Sequence, residues 1–142
     1  ALDAMALAAL FLASALPRLS RAKAVHSVVT LGGASTASRG RQWAYISKFG
    51  FYQGLGDYAV RLRRRGGRST KPTQATELEL TVEVHLDEQW DETERMPECK
   101  RIDRAKRVWP VFLRLDGGWS DWVNGSLQQS VRPHVWYFAL RD

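Results

Sequence analysis

One cysteine, Cys99, stands in the whole chain, so no disulfide closes within it and pairing cannot reveal the redox compartment. No apolar run reaches the roughly 20 residues that a membrane-crossing helix needs. A Gly-x-Ser-x-Gly elbow is missing, and His26, His85 and His134 stand in no motif that gives them a catalytic role. No enzyme is expected on these grounds, and no catalytic residue is assigned. Metal binding fares little better. Glu79, Glu83 and His85 alternate along one segment, but successive neighbours on a strand face lie about 7 Å apart, wide for one coordination shell. The closely convergent His and Cys ligands of a zinc site are absent. Asp87, Glu88, Asp91, Glu92 and Glu94 form an acidic loop without the Asp-x-Asp-x-Asp-Gly pattern of a calcium loop. No metal and no cofactor is therefore expected. Internal repeats are also lacking, as is a good helical period after residue 24.

What the chain does have is alternation. In Glu77-Leu78-Glu79-Leu80-Thr81-Val82-Glu83-Val84-His85-Leu86 aliphatic and polar residues change places at every step. Period two puts Leu78, Leu80, Val82, Val84 and Leu86 on one face of a strand and the acids with His85 on a solvated face. Trp43 to Phe51 reads as an aromatic strand with Trp43, Tyr45, Phe49 and Phe51 of one parity. Gly54 to Asp57 reads as a turn into Tyr58-Ala59-Val60-Arg61-Leu62-Arg63. Val108 to Leu115 is a strand whose Pro110 suggests an edge or a bulge. His134 to Leu140 is the last strand, and residues 119–130 read as loop. Five or more strands at short spacing predict an all-β fold, an antiparallel β-sandwich over residues 42–142.

The charge of +6 is laid down in blocks. Arg61 to Lys71 holds six bases and no acid, and Glu77 to Glu98 holds nine acids and one arginine. Opposite blocks suit cross-strand pairing, so residues 58–64 and 77–86 are expected to form an antiparallel hairpin with Arg61 and Arg63 against Glu77, Glu79 or Glu83. The competing reading uses the same arginines with Tyr45, Phe51 and Tyr58 as a stacking and phosphate-binding face for single-stranded nucleic acid. That makes a basic nucleic-acid-binding β domain of an organelle the alternative function, with nucleic acid the less favoured partner. Trp119 and Trp122 flank Asp121 and could form a sugar-stacking surface, although such tryptophans more often cap the end of a sandwich. Arg61, Arg63, Arg64, Arg65, Trp119 and Trp122 make up the candidate interaction surface.

The N-terminus differs from the rest. Met5 to Leu16 is apolar and uncharged, and Ala22-Lys23-Ala24 places small residues where a signal peptidase reads, so residues 1–24 are expected to be a secretory signal cleaved before Val25. An organelle transit peptide is the competitor, because residues 1–48 carry six bases and only Asp3 as an acid. Residues 25–41 are expected to be a flexible lead-in containing a short edge strand, Val28 to Leu31. Asn124-Gly125-Ser126 is an N-glycosylation sequon, which agrees with a secretory route.

Several segments fall into a familiar order: Trp43 to Phe51, Gly56-Asp57-Tyr58, the strand ending Asp87-Glu88-Gln89-Trp90, Cys99, and Arg132-Pro133-His134-Val135-Trp136-Tyr137-Phe138-Ala139-Leu140. Over residues 42–142 the chain resembles the N-terminal luminal domain of the intimal thickness-related receptor family, seven-helix membrane proteins. That domain is similar to the GOLD (Golgi dynamics) β-sandwiches. The chain departs from the family at Gly50, where animal members often carry a cysteine. The resemblance implies an extracytoplasmic recognition or trafficking module on the luminal or extracellular side of a secretory-pathway membrane. It implies an unidentified protein or peptide ligand and membrane attachment through helices C-terminal to this stretch. A cysteine typically follows the terminal strand in the family, so the resemblance also implies that Cys99 pairs with one just after Asp142.

Overall fold

A computed structural model describes residues 5–10, 24–31, 42–65 and 76–142. The strands are β1 (Met5–Leu10), β2 (Ala24–Val29), β3 (Trp43–Phe51), β4 (Gly54–Arg64), β5 (Glu77–Leu86), β6 (Arg107–Arg114), β7 (Val123–Gln129) and β8 (His134–Arg141). They form two four-stranded sheets, ordered β2-β1-β4-β7 and β3-β8-β5-β6, with every pairing antiparallel. The fold is the expected all-β sandwich. Two short helices, α1 (Trp90–Arg95) and α2 (Glu98–Arg101), lie in the charged stretch where no helix was expected.

The core forms where the alternating aliphatics of the two sheets meet. Tyr58, Val60 and Leu62 of β4 and Leu80, Val82 and Val84 of β5 are buried in one cluster, together with Phe49, Val111, Leu113, Leu127, Phe138 and Leu140. Phe138 stands edge-on to Tyr58 at 5.1 Å and to Phe49 at 5.9 Å, the geometry favoured by ring quadrupoles. Trp109 Nε1 donates to Tyr58 Oη at 2.7 Å and ties β6 of one sheet to β4 of the other. Burial raises the Tyr58 phenol above its usual pKa, against the opposing effect of that bond.

The expected hairpin between residues 58–64 and 77–86 does not exist. β4 and β5 lie in different sheets, and Val60 and Leu62 reach Leu80 and Val82 across the core rather than along a ladder. Complementary alternation says which face is dry; it cannot distinguish a neighbour in the sheet from a partner across the sandwich. Arg61 and Arg63 therefore do not pair with Glu77, Glu79 or Glu83, and the base opposite Glu77 is Arg114 of β6.

Three further expectations are revised. The aromatic parity of β3 is broken by a bulge, since Tyr45 pairs with Ala139 and Ser47 with Phe138, leaving Ile46 unopposed. Ile46 and Phe49 thus point into the core while Tyr45 is exposed. Residues 119–130 contain β7, an edge strand that its polar residues disguised. Residues 25–31 of the lead-in are ordered, the strand there running over Ala24–Val29 rather than Val28 to Leu31, with Val29 and Leu31 in the core. Pro110 lies in β6, the edge of its sheet, as proline's missing N–H requires. Residues 5–10 of the apolar N-terminal run form β1 between β2 and β4, whereas residues 11–23, 32–41 and 66–75 lie outside the described residues.

Candidate functional site, a tryptophan–arginine stack

Arg61 and Arg63 have the parity of Ala59, so they stand on the outer face of β4 while Val60 and Leu62 point inward. Alongside them runs the segment before β7. Ser120 donates its N–H to Leu62 O at 2.8 Å and accepts Leu62 N–H on its hydroxyl at 2.9 Å. Trp119 forms a bridge with Arg63, and the regular β4–β7 ladder resumes at Val60 opposite Val123. Between these two pairings β4 advances three residues and its partner advances four. Residues three apart in a regular strand face opposite sides; the one extra residue turns both Trp119 and Trp122 toward the same guanidinium.

The Arg61 guanidinium carbon lies 4.3 Å from the Trp119 ring centroid and 4.4 Å from that of Trp122. Arg63 lies 4.8 Å from Trp119. A cation over an indole face is the favoured arrangement, and a planar guanidinium covers the ring while its edge N–H groups remain donors. Arg61 Nε is buried and has no hydrogen-bond partner among the described residues. The turn leading into Trp119 is fixed by Asp116, which accepts from Arg114 Nη2 at 2.6 Å and from Gly118 N–H at 2.8 Å. These bonds, the arginine's first, hold the Asp116 carboxyl down at about 2. Gly117 supplies the positive φ of +87° that the turn demands.

Four of the six expected surface residues are therefore brought together, Arg61, Arg63, Trp119 and Trp122. Arg64 and Arg65 are not joined to them by any described contact: Arg64 has the inward parity of Leu62, and Arg65 follows the end of the strand. Asn124 of the sequon is exposed in β7, two residues after Trp122, rather than in a turn. It lines a cleft of about 450 Å³ with Tyr58, Arg107 and Trp109. Cys99 is free and exposed on α2. Nearby Arg101 stacks on Trp43 at 4.2 Å, and Trp43 pairs with Arg141, so α2 sits toward the C-terminal end of β8.

Sequence reasoning misplaced the polar face of β5. Glu83 and His85 are not solvated: both are 0% exposed, covered on the outside of their sheet. Trp43 Nε1 donates to Glu83 Oε2 at 3.1 Å, and His85 Nε2 lies 3.1 Å from the same oxygen. Arg141 Nε is 3.0 Å from Glu83 Oε1, an ion pair by distance whose N–H is not aligned on the oxygen. Trp90 of α1 closes the cluster, stacked on Tyr137 at 4.2 Å and edge-on to His85 at 5.7 Å. The only signal in the sequence is Trp90 itself, a large apolar ring in an acidic turn. Just past the end of β5, His134 Nδ1 lies 2.9 Å from Asp87 Oδ1, and Val135 N–H donates to Asp87 Oδ2 at 3.2 Å. Burial raises the Asp87 carboxyl, but the bonds from His134 and Val135 outweigh it and leave the group below its ordinary value.

A second surface feature escaped notice altogether. Tyr52 in the β3–β4 turn, Leu55 at the start of β4 and Val131 in the β7–β8 turn are all exposed, and Gln53 Nε2 joins the two turns by donating to Ser130 O at 2.7 Å. Among the described residues no His, Cys, Asp and Glu side chains group as a metal site, and no helix is long and apolar enough to cross a membrane. Set against family models, curated proteins and solved structures, the chain matches none of them.

Proposed function

We propose that this chain is an extracytoplasmic recognition domain, the luminal part of a seven-helix receptor-like protein of the secretory pathway, and that its ligand is a protein or peptide. The observation that carries this reading is the ordered stack of Arg61 and Arg63 on Trp119 and Trp122 at the outer surface of the β2-β1-β4-β7 sheet. Exposed indoles and arginines are the residue types that dominate binding energy at protein interfaces. Here the rings already hold the guanidinium, so little side-chain entropy remains to be lost on binding. The free guanidinium edges suit carboxylates on the ligand. The order of aromatic segments shared with the intimal thickness-related receptor family, and the sandwich they build, support the receptor assignment.

Processing before Val25 is part of this reading and has a structural consequence. It would remove β1 and leave β2 and β4 without the strand that lies between them. N-terminal sequencing of the mature protein separates a cleaved signal from a retained strand.

The test is topological. In intact microsomes the domain should be protected from added protease, and an N-glycosidase should remove mass that the Asn124→Gln variant lacks. A cytosolic domain with bare Asn124 overturns the proposal. Single-stranded oligonucleotide binding that is tight and falls steeply with salt would support the organelle nucleic-acid reading instead.

A further inference from the structure

We propose that Trp119 is a C-mannosylation site, its indole carrying one mannose through a carbon–carbon bond. This rests on the luminal reading above, because the donor, a polyprenyl-phosphate mannose, is used on that side of the membrane. Trp119-Ser120-Asp121-Trp122 has the Trp-x-x-Trp spacing that luminal mannosyltransferases read in a nascent chain, with the first tryptophan as acceptor. A short motif alone is weak ground. Three features of the fold strengthen it.

First, the segment lies outside the core. Trp122 is exposed and Trp119 partly buried, and the chain between the Trp119 bridge and β7 is irregular. A sugar here displaces no core side chain. Second, the stack uses the faces of the rings, whereas the acceptor carbon, C2 of the indole, is on the ring edge. A substituent at C2 lies in the ring plane, so a mannose on Trp119 is compatible with Arg61 at 4.3 Å and Arg63 at 4.8 Å from the ring centroid. Third, Arg61 Nε is a buried donor with no acceptor among the described residues. Buried donors are rarely left unpaired. A mannose hydroxyl that turned back from the ring edge toward Arg61 would offer that donor an acceptor.

The chemistry balances without a redox partner. The electron-rich C2 attacks the anomeric carbon of the donor, and the anomeric carbon–oxygen bond breaks. Polyprenyl phosphate leaves with the electron pair. Loss of the C2 proton then restores the aromatic ring.

One peptide tests this together with the reading on which it depends. Trypsin should release residues 115–141 intact, because Pro133 hinders cleavage after Arg132, and this peptide holds Trp119, Trp122 and Asn124. The full-length protein is expressed in cells shown to C-mannosylate a co-expressed Trp-x-x-Trp control. Its peptides are treated with N-glycosidase and sequenced by mass spectrometry. The expected result is one hexose on Trp119 that survives the enzyme and fragments across the sugar ring instead of leaving whole. Trp122→Ala should abolish that hexose while Asn124 stays glycosylated. Because transfer occurs on the nascent chain, this holds even where the variant folds poorly, and Trp119→Phe provides a second loss-of-signal control. A bare Trp119 beside a glycosylated Asn124 overturns the mannosylation and leaves the luminal reading standing. A hexose that leaves whole from Ser120 or Ser126 also overturns it. Bare Trp119 with bare Asn124 and a protease-exposed domain overturns the luminal reading, and the mannosylation with it.

Discussion

Glu83 and Glu79 stand four residues apart on one side of β5, yet truncating them should have very different effects. Glu79 is exposed, and Glu79→Ala should change stability by less than about 0.5 kcal/mol, as surface substitutions do. Glu83 is 0% exposed and meets Trp43 Nε1, His85 Nε2 and Arg141 Nε within 3.1 Å. Arg141 is itself only 6% exposed, and its Nε and Nη1 have no other acceptor among the described residues. Removing the carboxylate strands that guanidinium charge out of water. Breaking a buried pair in this way costs about 3–5 kcal/mol, far more than the net worth of the pair, because the remaining ion loses its hydration with no compensation. Glu83→Gln keeps the shape and an acceptor for Trp43 but not the charge, so its cost should be lower, about 1.5–3 kcal/mol. Urea denaturation of the three variants, followed by tryptophan fluorescence and far-ultraviolet circular dichroism, gives the comparison. Coincident transitions by the two probes are required before the midpoints are converted to free energies. A Glu83→Ala cost below about 1 kcal/mol, or one equal to that of Glu79→Ala, would refute the buried ion pair.

Three other outcomes follow from the geometry, and a fourth, on Cys99, from the family resemblance. A Cβ at Gly125 would run into the ring and Oη of Tyr58, so Gly125→Ala should destabilise the domain by about 1–3 kcal/mol in a denaturation curve, Tyr58 being fixed by Trp109. Arg61→Lys should lower stability by about 1 kcal/mol through loss of planar stacking on Trp119 and Trp122, with quenching of exposed tryptophan fluorescence altered in parallel. Asp87 has a folded pKa below 3.8, so its stabilisation is fully present above that value and is lost as pH falls through the lower folded one. Denaturation midpoints of the wild type and Asp87→Asn should therefore converge in acid and separate as pH rises. In a chain that carries a cysteine next to Asp142, peptide mapping without reductant should recover Cys99 bound to it; a free Cys99 in an oxidised, glycosylated sample would end that pairing.

Where a strand needed only its own residues to be recognised, the sequence was enough. β5 and β8 carry their alternation or their apolar run within themselves, and Pro110 marked β6 as an edge or a bulge because it has no N–H for the ladder; the sheet order makes it an edge. Composition likewise pointed to Arg61, Arg63, Trp119 and Trp122 as surface residues of interest, since Arg61 and Arg63 stand beside inward-facing aliphatics and the tryptophans sit in polar sequence. Their meeting was beyond its reach. It depends on β4 and the segment before β7 being neighbours, and on one extra residue that turns Trp119 and Trp122 to a common side. Period two cannot show a bulge in advance, nor can it show which dry face a strand meets. That is why β4 and β5 looked like a hairpin and proved to be opposite walls of the core. The same limit explains Glu83 and His85. A polar residue on a strand reads as wet until some other part of the chain covers it, and here the cover is Trp43 from β3, Arg141 from β8 and Trp90 from α1. Burial of a polar group is decided by what packs over it, and only the tertiary structure supplies that.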